Sequence, residues 1–248
     1  MIVCKLEGGL GNQMFQYASG ISIAMRNQRP INFYWDPSVG DTKRPFLLNE
    51  FDNVEVVMFN DVPTGYQTVI DNFNYDEFTI PKEKVFLSGY WQSEKYFKEY
   101  ELGIRNLFKI DDVLKYTIPN NSVSLHIRRG DYLNKPEVHP TQTLEYYENA
   151  LKIIGEYNKV FVLSDDIEWC KGNIKFDNVI FVEGQSEFQD MKLMSLCEHN
   201  IIANSSFSWW GAWLNKNKNK KVIAPCNWFG NNVNLNTNDI IPKGWLML

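Results

Sequence analysis

The second half of the chain alternates short apolar runs with longer amphipathic ones. The short runs, SVSLHI, KVFVLS, NVIFVE, NIIAN and KVIAP, have the length and β-branched content of buried strands. Between them lie segments with helical spacing, such as the one that carries Leu144, Tyr147, Leu151 and Ile154. Strands that alternate with helices join in parallel, so the sequence predicts a doubly wound α/β sheet here.

The first half begins in the same way, with a strand over IVCKLE, a long helix over GNQMFQYASGISIAMRNQ and a strand over INFYWD. The pattern loosens from Pro37 to Asp76, where VEVVMF is a strand candidate. It resumes with a strand in VFLSGYW and a helical SEKYFKEYELGIRNLF. We therefore predict two α/β lobes, residues 1–119 and 120–248, with the boundary near Pro119 and a ligand cleft between them.

Composition excludes some classes of protein. The net charge of −5 argues against a nucleic-acid partner. Aromatic residues make up 15% of the chain, which mainly indicates core and also suits a protein that handles carbohydrate. The four cysteines lack CxxC spacing and are expected to be free thiols of a reducing compartment.

Neither a signal peptide nor a run long enough to span a membrane is apparent, so a cytoplasmic location is expected. The one basic run is NKNKNKK, residues 215–221. It is predicted to be a solvated turn. The alternative is a weak attraction to anionic lipid, which would place the protein peripherally at the inner face of the cytoplasmic membrane.

Ligands of doubly wound sheets bind beyond the carboxyl ends of the strands, so the residues there are the candidate site. The first strand ends in EGGLGNQ, where Gly9 and Gly11 allow a close backbone approach and Asn12 and Gln13 add side-chain donors. The third glycine of a dinucleotide-binding fingerprint is replaced by Met14. The alternative is a tight turn with no ligand.

In SVSLHIRRGD, strand alternation puts His126 and Arg128 on one face and Arg129 on the other. Arginine is suited to bind a phosphate through two donors, so Arg128 is the candidate phosphate ligand. Arg129 is predicted to pair with Asp131. The alternative for both arginines is a surface ion pair.

Two further strand ends carry polar groups. Asp165 and Asp166 follow KVFVLS and could accept hydrogen bonds from a ribose or a guanine; each could equally cap the next helix. Ser205 and Ser206 stand at the start of the helix FSWWGAWLN, a second site suited to phosphate. A nucleoside diphosphate would satisfy all these groups. The tryptophans of that helix are predicted to be core.

Three motifs, GGLGNQMFQYA, HIRRGDY and NSSFSWWGAWL, occur in this order, and the chain ends in IIPKGWLML. With them the chain resembles, over nearly its whole length, the bacterial α-1,2-fucosyltransferases of glycosyltransferase family 11. HIRRGD alone is shared with α-1,6- and protein O-fucosyltransferases. The resemblance implies a GT-B fold of two Rossmann-like lobes, with the acceptor on the first lobe and the donor on the second.

The resemblance also implies the reaction. The donor would be GDP-β-L-fucose and the acceptor a free or lipid-linked oligosaccharide with a terminal galactose. The α-1,2-fucoside would form with inversion, without a metal or other cofactor. By the family pattern Arg128 and Asn12 contact the pyrophosphate, and His126 lies near the nucleoside. Asp165 or Asp166 would be the carboxylate near guanosine, and the phosphate-side loop would comprise Ser205, Ser206 and Phe207.

Several points stay open at this level. The general base could be Asp131, Glu7 or Asp36, or the reaction could need none. The sequence has no Asp-x-Asp, the motif typical of metal-dependent transferases, and Asp166-x-Glu168 is the nearest to it. The competing hypotheses are a GDP-sugar or glycan-binding protein without turnover and a nucleotide-dependent oxidoreductase, and the missing third glycine argues against the latter.

Overall fold

A computed structural model of the protein describes residues 1–35, 44–59, 61, 63–71, 73–75, 79–233 and 235–248. The chain forms two compact units. Unit 1 comprises Met1–Lys109 and Leu235–Pro242, and unit 2 comprises Ile110–Asn234 and Lys243–Leu248. Each unit has its own parallel sheet with helices, which confirms the predicted α/β fold class.

Unit 1 contains a four-stranded parallel sheet in the order β2-β1-β4-β3. Its central strand β1 is buried, and the following helix α1 is buried along most of its length. The helix approaches the sheet closely at Gly20, where an added Cβ would lie 3.2 Å from the sulfur of Cys4. The elements are β1 (Ile2–Leu6), α1 (Leu10–Arg26), β2 (Ile31–Trp35), β3 (Gln67–Ile70), β4 (Val85–Ser88) and α2 (Glu101–Leu107).

One prediction for unit 1 is wrong, and another holds only in part. The segment VEVVMF is not a strand, because it touches the edge strand β2 only around an isolated bridge between Phe33 and Met58. The helix predicted over SEKYFKEYELGIRNLF is regular only in α2, and two short 3₁₀ turns precede it. The neighbouring side chains of Tyr96 and Phe97 are both buried there.

Unit 2 contains a six-stranded parallel sheet in the order β10-β9-β8-β5-β6-β7. Its elements match the predicted alternation closely, and Ser186 caps α5 as expected. They are β5 (Ser122–Ile127), α3 (Leu144–Ile154), β6 (Lys159–Ser164), α4 (Ile167–Asn173), β7 (Val179–Phe181), α5 (Glu187–Leu196), β8 (His199–Ile201), α6 (Ser206–Leu214), β9 (Val222–Ala224) and β10 (Leu246–Met247).

The two faces of β5 have different neighbours, as its alternation predicts. Val123, Leu125 and Ile127 belong to a core cluster with residues of α3 and α4. On the other face, the Ser124 hydroxyl accepts a hydrogen bond of 2.7 Å from the side chain of Asn200, and both residues are buried. The polar face of β5 is therefore enclosed as well, which explains why the whole strand is buried.

Helix α6 is a core element. Its tryptophans, Trp209, Trp210 and Trp213, are almost fully buried, which confirms their predicted role. An added Cβ at Gly211 would lie 2.8 Å from the Cβ of Met194 in α5. The glycine therefore allows the two helices to pack at this short distance.

The division between the units lies at Lys109–Ile110, whereas the sequence placed it near Pro119. The reason is that the intervening segment binds to unit 2. The side chains of Lys115 and Tyr116 donate to the carbonyl of Glu183 at 3.1 and 3.2 Å. The amide of Gln189 in α5 donates to the carbonyl of Val113 at 2.8 Å. Sequence patterns did not indicate that Leu235–Pro242 returns to unit 1.

All four cysteines are free thiols, as predicted, and three of them, all except Cys226, are buried. Among the described residues, none of the helices combines the length and the apolar character needed to cross a membrane.

Candidate active site

The carboxyl ends of three neighbouring strands in unit 2 carry most of the predicted site residues. Strands β8, β5 and β6 are adjacent and parallel, and Ile127 at the end of β5 is in register with Ser164 at the end of β6. The loops that follow these strands therefore leave the sheet at the same edge. The topology brings HIRRGD, the Asp165–Asp166 pair and the serines before α6 to one region, as the sequence predicts.

Arg128 is the first residue after β5, and its guanidinium is held from several sides. One terminal nitrogen lies 2.5 Å from a carboxylate oxygen of Asp131, and the other lies 3.0 Å from Asp165. Its central carbon lies 5.3 Å from the centre of the Tyr132 ring. The side chain is 20% exposed. The geometry thus fixes a planar cation at the strand end and leaves part of it accessible to a ligand.

Arg129 does not pair with Asp131 as predicted. It points to the opposite face of β5, where its Nε lies 3.1 Å from a carboxylate oxygen of Asp166. Its guanidinium also lies 3.8 Å from the centre of the Trp169 ring in α4. Asp131 is instead returned toward Arg128 by the 3₁₀ turn Asp131–Asn134. The two adjacent arginines therefore have separate partners.

The two carboxylates after β6 have different roles in the structure. Asp165 accepts a hydrogen bond of 2.9 Å from the backbone amide of Arg129, in addition to its contact with Arg128. An added Cβ at Gly130 would lie 2.5 Å from an Asp165 oxygen, so the glycine provides space for this carboxylate. Asp166 caps α4 by accepting from the amide of Trp169 at 3.3 Å. The cap alternative thus holds for Asp166, and contact of either carboxylate with guanosine stays a prediction.

His126 is a buried neutral imidazole beside the site. Its side chain faces α6, with the ring centre 5.7 Å from that of Phe207, and the residue is only 5% exposed. Burial, and secondarily the charge of Arg128, lowers the pKa of His126 to about 3. Its Nδ1 is buried and has no hydrogen-bond partner among the described residues.

The N-terminus of α6 begins at Ser205, whose backbone is extended. The Ser205 side chain makes no capping hydrogen bond, and its carbonyl accepts from the amide of Trp209 at 3.0 Å. The helix dipole favours negative charge at this end, next to His126. The geometry is therefore compatible with the predicted phosphate-side loop of Ser205, Ser206 and Phe207.

Asn204 organises the loops around the site, and the sequence analysis missed it. Its carbonyl accepts from the Tyr132 hydroxyl at 2.9 Å, and its amide nitrogen donates to the carbonyls of Pro140 and Trp228, both at 3.0 Å. Its amide oxygen accepts from Gln142 at 3.1 Å. The only sequence feature that indicates a role for Asn204 is its position at the end of a predicted strand and directly before Ser205 and Ser206.

The glycine-rich turn lies in unit 1, after β1. Gly8 has a positive φ of 80°, and an added Cβ there would lie 2.7 Å from the side-chain nitrogen of Asn12. Gly9 is the N-cap of α1, and an added Cβ at this position would meet nothing within 4 Å. The amide of Gln92 donates to the Asn12 oxygen at 2.9 Å, which fixes the orientation of Asn12. Gln92 is a further residue that sequence reasoning missed.

Other predicted residues of unit 1 are engaged within the protein. Gln13 is fully buried, and its side chain binds the backbone at Gly8, Pro45 and Leu47, so it fixes the turn rather than facing a ligand. Gly11 is buried inside α1.

The two candidate general bases of unit 1 are Glu7 and Asp36. The carboxylate of Glu7 pairs with Lys5 at 2.5 Å. Asp36 lies outside the described residues. Within the described ranges, no cluster of three or more His, Cys, Asp or Glu side chains is arranged to hold a metal ion.

Comparison with known proteins gives a consistent result. The whole chain, residues 1–248, matches the profile of glycosyl transferase family 11. It is 34% identical to an alpha-1,2-colitosyltransferase of Escherichia coli, an alignment that covers 100% of this chain and 99% of that protein. It is 31% identical to the O-antigen biosynthesis glycosyltransferase WbnK of Escherichia coli, over 98% and 99% of the two chains.

More distant similarities extend to animal and rhizobial proteins. A galactoside 2-alpha-L-fucosyltransferase of Bos taurus, SEC1, is 27% identical over 84% of this chain and 62% of its own length. Among solved structures, the NodZ alpha-1,6-fucosyltransferase soaked with GDP-fucose aligns with a TM-score of 0.48 and 15% identity, over 86% of this chain and 91% of that one.

Proposed function

The chain belongs to glycosyl transferase family 11, and from that premise we propose that it is an inverting transferase that uses a GDP-sugar. The donor that we propose is GDP-β-L-fucose. The sugar would go to O2 of a terminal galactose on a free or lipid-linked oligosaccharide and form an α-1,2-fucoside. Membership of a glycosyltransferase family argues against the oxidoreductase alternative.

The arrangement at the end of β5 is the observation that carries the proposal. Arg128 presents a guanidinium at the end of β5, and the N-terminus of α6 follows the neighbouring parallel strand β8; both favour negative charge. In glycosyl transfer, charge grows on the diphosphate as the sugar–phosphate bond breaks. A cation and a helix dipole that are already in place stabilise that charge more in the transition state than in the ground state.

The same groups suggest that the reaction needs no metal. Arg128 and the first turn of α6 would perform the charge stabilisation that a divalent cation provides in other transferases. We expect full activity in excess EDTA. A loss of activity that Mn²⁺ restores would contradict this part of the proposal.

The identity of the sugar has one serious alternative. A relative with 34% identity is an alpha-1,2-colitosyltransferase, and colitose is L-fucose without its 3-hydroxyl group. A site that hydrogen-bonds this hydroxyl rejects the deoxy sugar by about 10⁴–10⁵-fold, whereas a site without that contact discriminates weakly. The ratio of kcat/KM for the two donors therefore distinguishes the two functions.

The deciding experiment uses the purified full chain with GDP-fucose and GDP-colitose, each against an array of galactose-terminated oligosaccharides. Transfer of fucose, with an α-1,2 linkage by NMR, is the expected result. Preference for GDP-colitose would replace the donor assignment and keep the family activity. Binding of GDP without transfer to any acceptor would favour the alternative of a binding protein without turnover.

A further inference from the structure

Unit 2 contains a cavity of about 350 Å³ that the proposed donor site does not use. It lies between the segments 136–140 and 227–232, and its lining includes Phe229, Gly230 and several polar residues. The polar residues are Glu137, Asn227, Asn231 and Asn232. Its volume falls within the range of about 300–1,000 Å³ that is typical of small-ligand sites.

The two walls of the cavity are fixed against each other. The amide of Gly230 donates to the carbonyl of Val138 at 3.0 Å. An added Cβ at Gly230 would lie only 2.0 Å from the carbonyl oxygen of Glu137, so only glycine allows this approach. Asn204 binds both walls, through the carbonyls of Pro140 and Trp228. The cavity is therefore a built feature of the unit rather than a gap between unconnected loops.

A row of three rings connects the cavity to the Arg128 site. The ring of His139 lies 5.7 Å from that of Phe229 and stacks on Tyr132 at 4.8 Å, with an angle of 20° between the two planes. Tyr132 in turn lies beside the guanidinium of Arg128. His139 and Tyr132 thus lie between the cavity and Arg128, so a ligand in the cavity would occupy the same end of unit 2 as the groups proposed to act on the donor.

The lining indicates the chemistry of that ligand. Each asparagine amide can both donate and accept hydrogen bonds, which suits the hydroxyl groups of a sugar. The face of Phe229 can pack against the C–H groups of a sugar ring. Glu137 is the only charged residue among the described residues that line the cavity, so the site favours an uncharged molecule over a phosphate or an acidic sugar.

We infer that this cavity is a saccharide subsite that binds an uncharged pyranose unit of the glycan acceptor. The inference rests on the proposed function for the identity of the acceptor. It places the recognition of one acceptor unit in unit 2, whereas the family resemblance implies the acceptor on the first lobe. Phe229 and Asn231 are the residues that should distinguish acceptors, and Asn204 positions the walls.

Direct binding tests the inference without turnover. Saturation-transfer NMR of the full chain with methyl β-galactoside, lactose and N-acetyllactosamine should detect binding of at least one of them. Replacing one hydrogen-bonding or stacking group, in Asn231→Ala or Phe229→Ala, should weaken that binding about tenfold or more. Phe229→Tyr should retain binding, and Asn219→Ala, an exposed asparagine outside the cavity, should be unchanged.

The GDP affinity and the thermal midpoint of each variant serve as controls and should stay at the wild-type values. The inference is wrong if none of the galactosides binds, or if Phe229→Ala and Asn231→Ala bind as well as the wild type. Binding that depends on Phe229 in a protein that transfers neither sugar would disprove the proposed function and leave the subsite intact. Transfer that is insensitive to both substitutions would disprove the subsite alone.

Discussion

Arg128 and Arg129 are neighbours in the chain, but strand alternation turns them to different partners. Arg128 lies at the ligand edge with Asp131 and Asp165, and Arg129 lies against Asp166 and Trp169. The contacts of Arg128 place its cation where a ligand can reach it. The contacts of Arg129 connect the end of β5 to α4. Their substitutions should therefore have different effects.

For Arg128→Ala we expect kcat to fall by about 10²–10³, roughly 3–4 kcal/mol, with the fold intact. Arg128→Lys should restore little, because an ammonium group cannot reproduce the planar fork of donors. The measurement is kcat with GDP-fucose, together with the thermal midpoint. Near-normal turnover of the Arg128→Ala variant would remove this residue from the mechanism.

For Arg129→Ala we expect a loss of stability, because the substitution removes both an ion pair and a cation–π contact. The expected cost is about 1–2 kcal/mol in the free energy of unfolding. Urea unfolding measures it. Loss of activity without loss of stability would mean that Arg129, rather than Arg128, contacts the phosphate.

His126 makes the stability of the protein depend on pH. Its pKa of about 3 in the folded protein lies below the usual 6.5, so the unfolded chain takes up a proton more readily. The stabilisation is complete above about pH 6.5 and declines as the pH falls toward 3. Between pH 7 and pH 5 the contribution of His126 should decrease by about 2 kcal/mol.

Urea unfolding of the wild type and of His126→Phe at pH 7 and pH 5 checks this value. The variant should lose about 2 kcal/mol less than the wild type over this interval, because the other titrating groups are common to both proteins. An identical pH dependence in the two proteins would show that His126 is not buried as a neutral ring.

At the scale of the elements, the loop after β5 depends on Gly130. A methyl group there would lie 2.5 Å from Asp165 and displace the carboxylate that holds Arg128. We expect Gly130→Ala to reduce kcat about tenfold or more, with a cost of about 1–3 kcal/mol from overpacking.

Gly103→Ala is the matched control for this substitution. Gly103 lies in α2, is exposed, and an added Cβ there would meet nothing within 4 Å. It should raise stability by about 0.5–1 kcal/mol and leave kcat unchanged. Equal effects of the two substitutions would contradict the role given to Gly130.

Strands β5, β6, β8 and β9 of unit 2 could be predicted because they are buried on both faces and alternate with helices. Strand β8 lies at His199–Ile201 and so overlaps only the start of NIIAN, and the side-chain amide of its buried Asn200 donates to Ser124 and Met194. Strand β3 was missed because its residues are mostly exposed and show no apolar alternation.

The site was predictable to the extent that it depends on strand ends. Alternation and topology correctly brought Arg128 and Asp165 to one edge of the sheet. They could not predict that Asp131 pairs with Arg128 and that Arg129 pairs with Asp166, because this pairing depends on the 3₁₀ turn after Gly130. Asn204 and Gln92 were missed because their roles consist of hydrogen bonds between segments that are distant in the sequence.

At the scale of the whole molecule, the chain returns to its first unit near the end. The segment Leu235–Pro242 belongs to unit 1, and Asp239 binds it there. The Asp239 carboxylate accepts from the amide of Tyr75 at 3.0 Å and pairs with Lys95. Burial tends to raise the pKa of Asp239, but its contacts with Lys95 and Tyr75 outweigh this effect and lower it. The ionised form is therefore the one that unit 1 stabilises.

Asp239→Ala should therefore destabilise unit 1. It leaves the Tyr75 amide and Lys95 without this partner, and we expect a cost of about 1–2 kcal/mol. Glu99→Ala is the control, because its pair with Arg26 lies in the same unit and is largely exposed, with side-chain exposures of 39% for Arg26 and 48% for Glu99. An exposed pair is worth about 0–1 kcal/mol, so this variant should change little.

Hydrogen exchange distinguishes a local effect of Asp239→Ala from a general one. Protection should decrease around Tyr75 and Lys95 and stay constant in β5 and β6, which belong to unit 2. The thermal midpoint should fall by about 2–4 °C per kcal/mol lost. If exchange instead increased equally in both units, the two would unfold together, and the returning segment would stabilise the whole chain rather than its first unit alone.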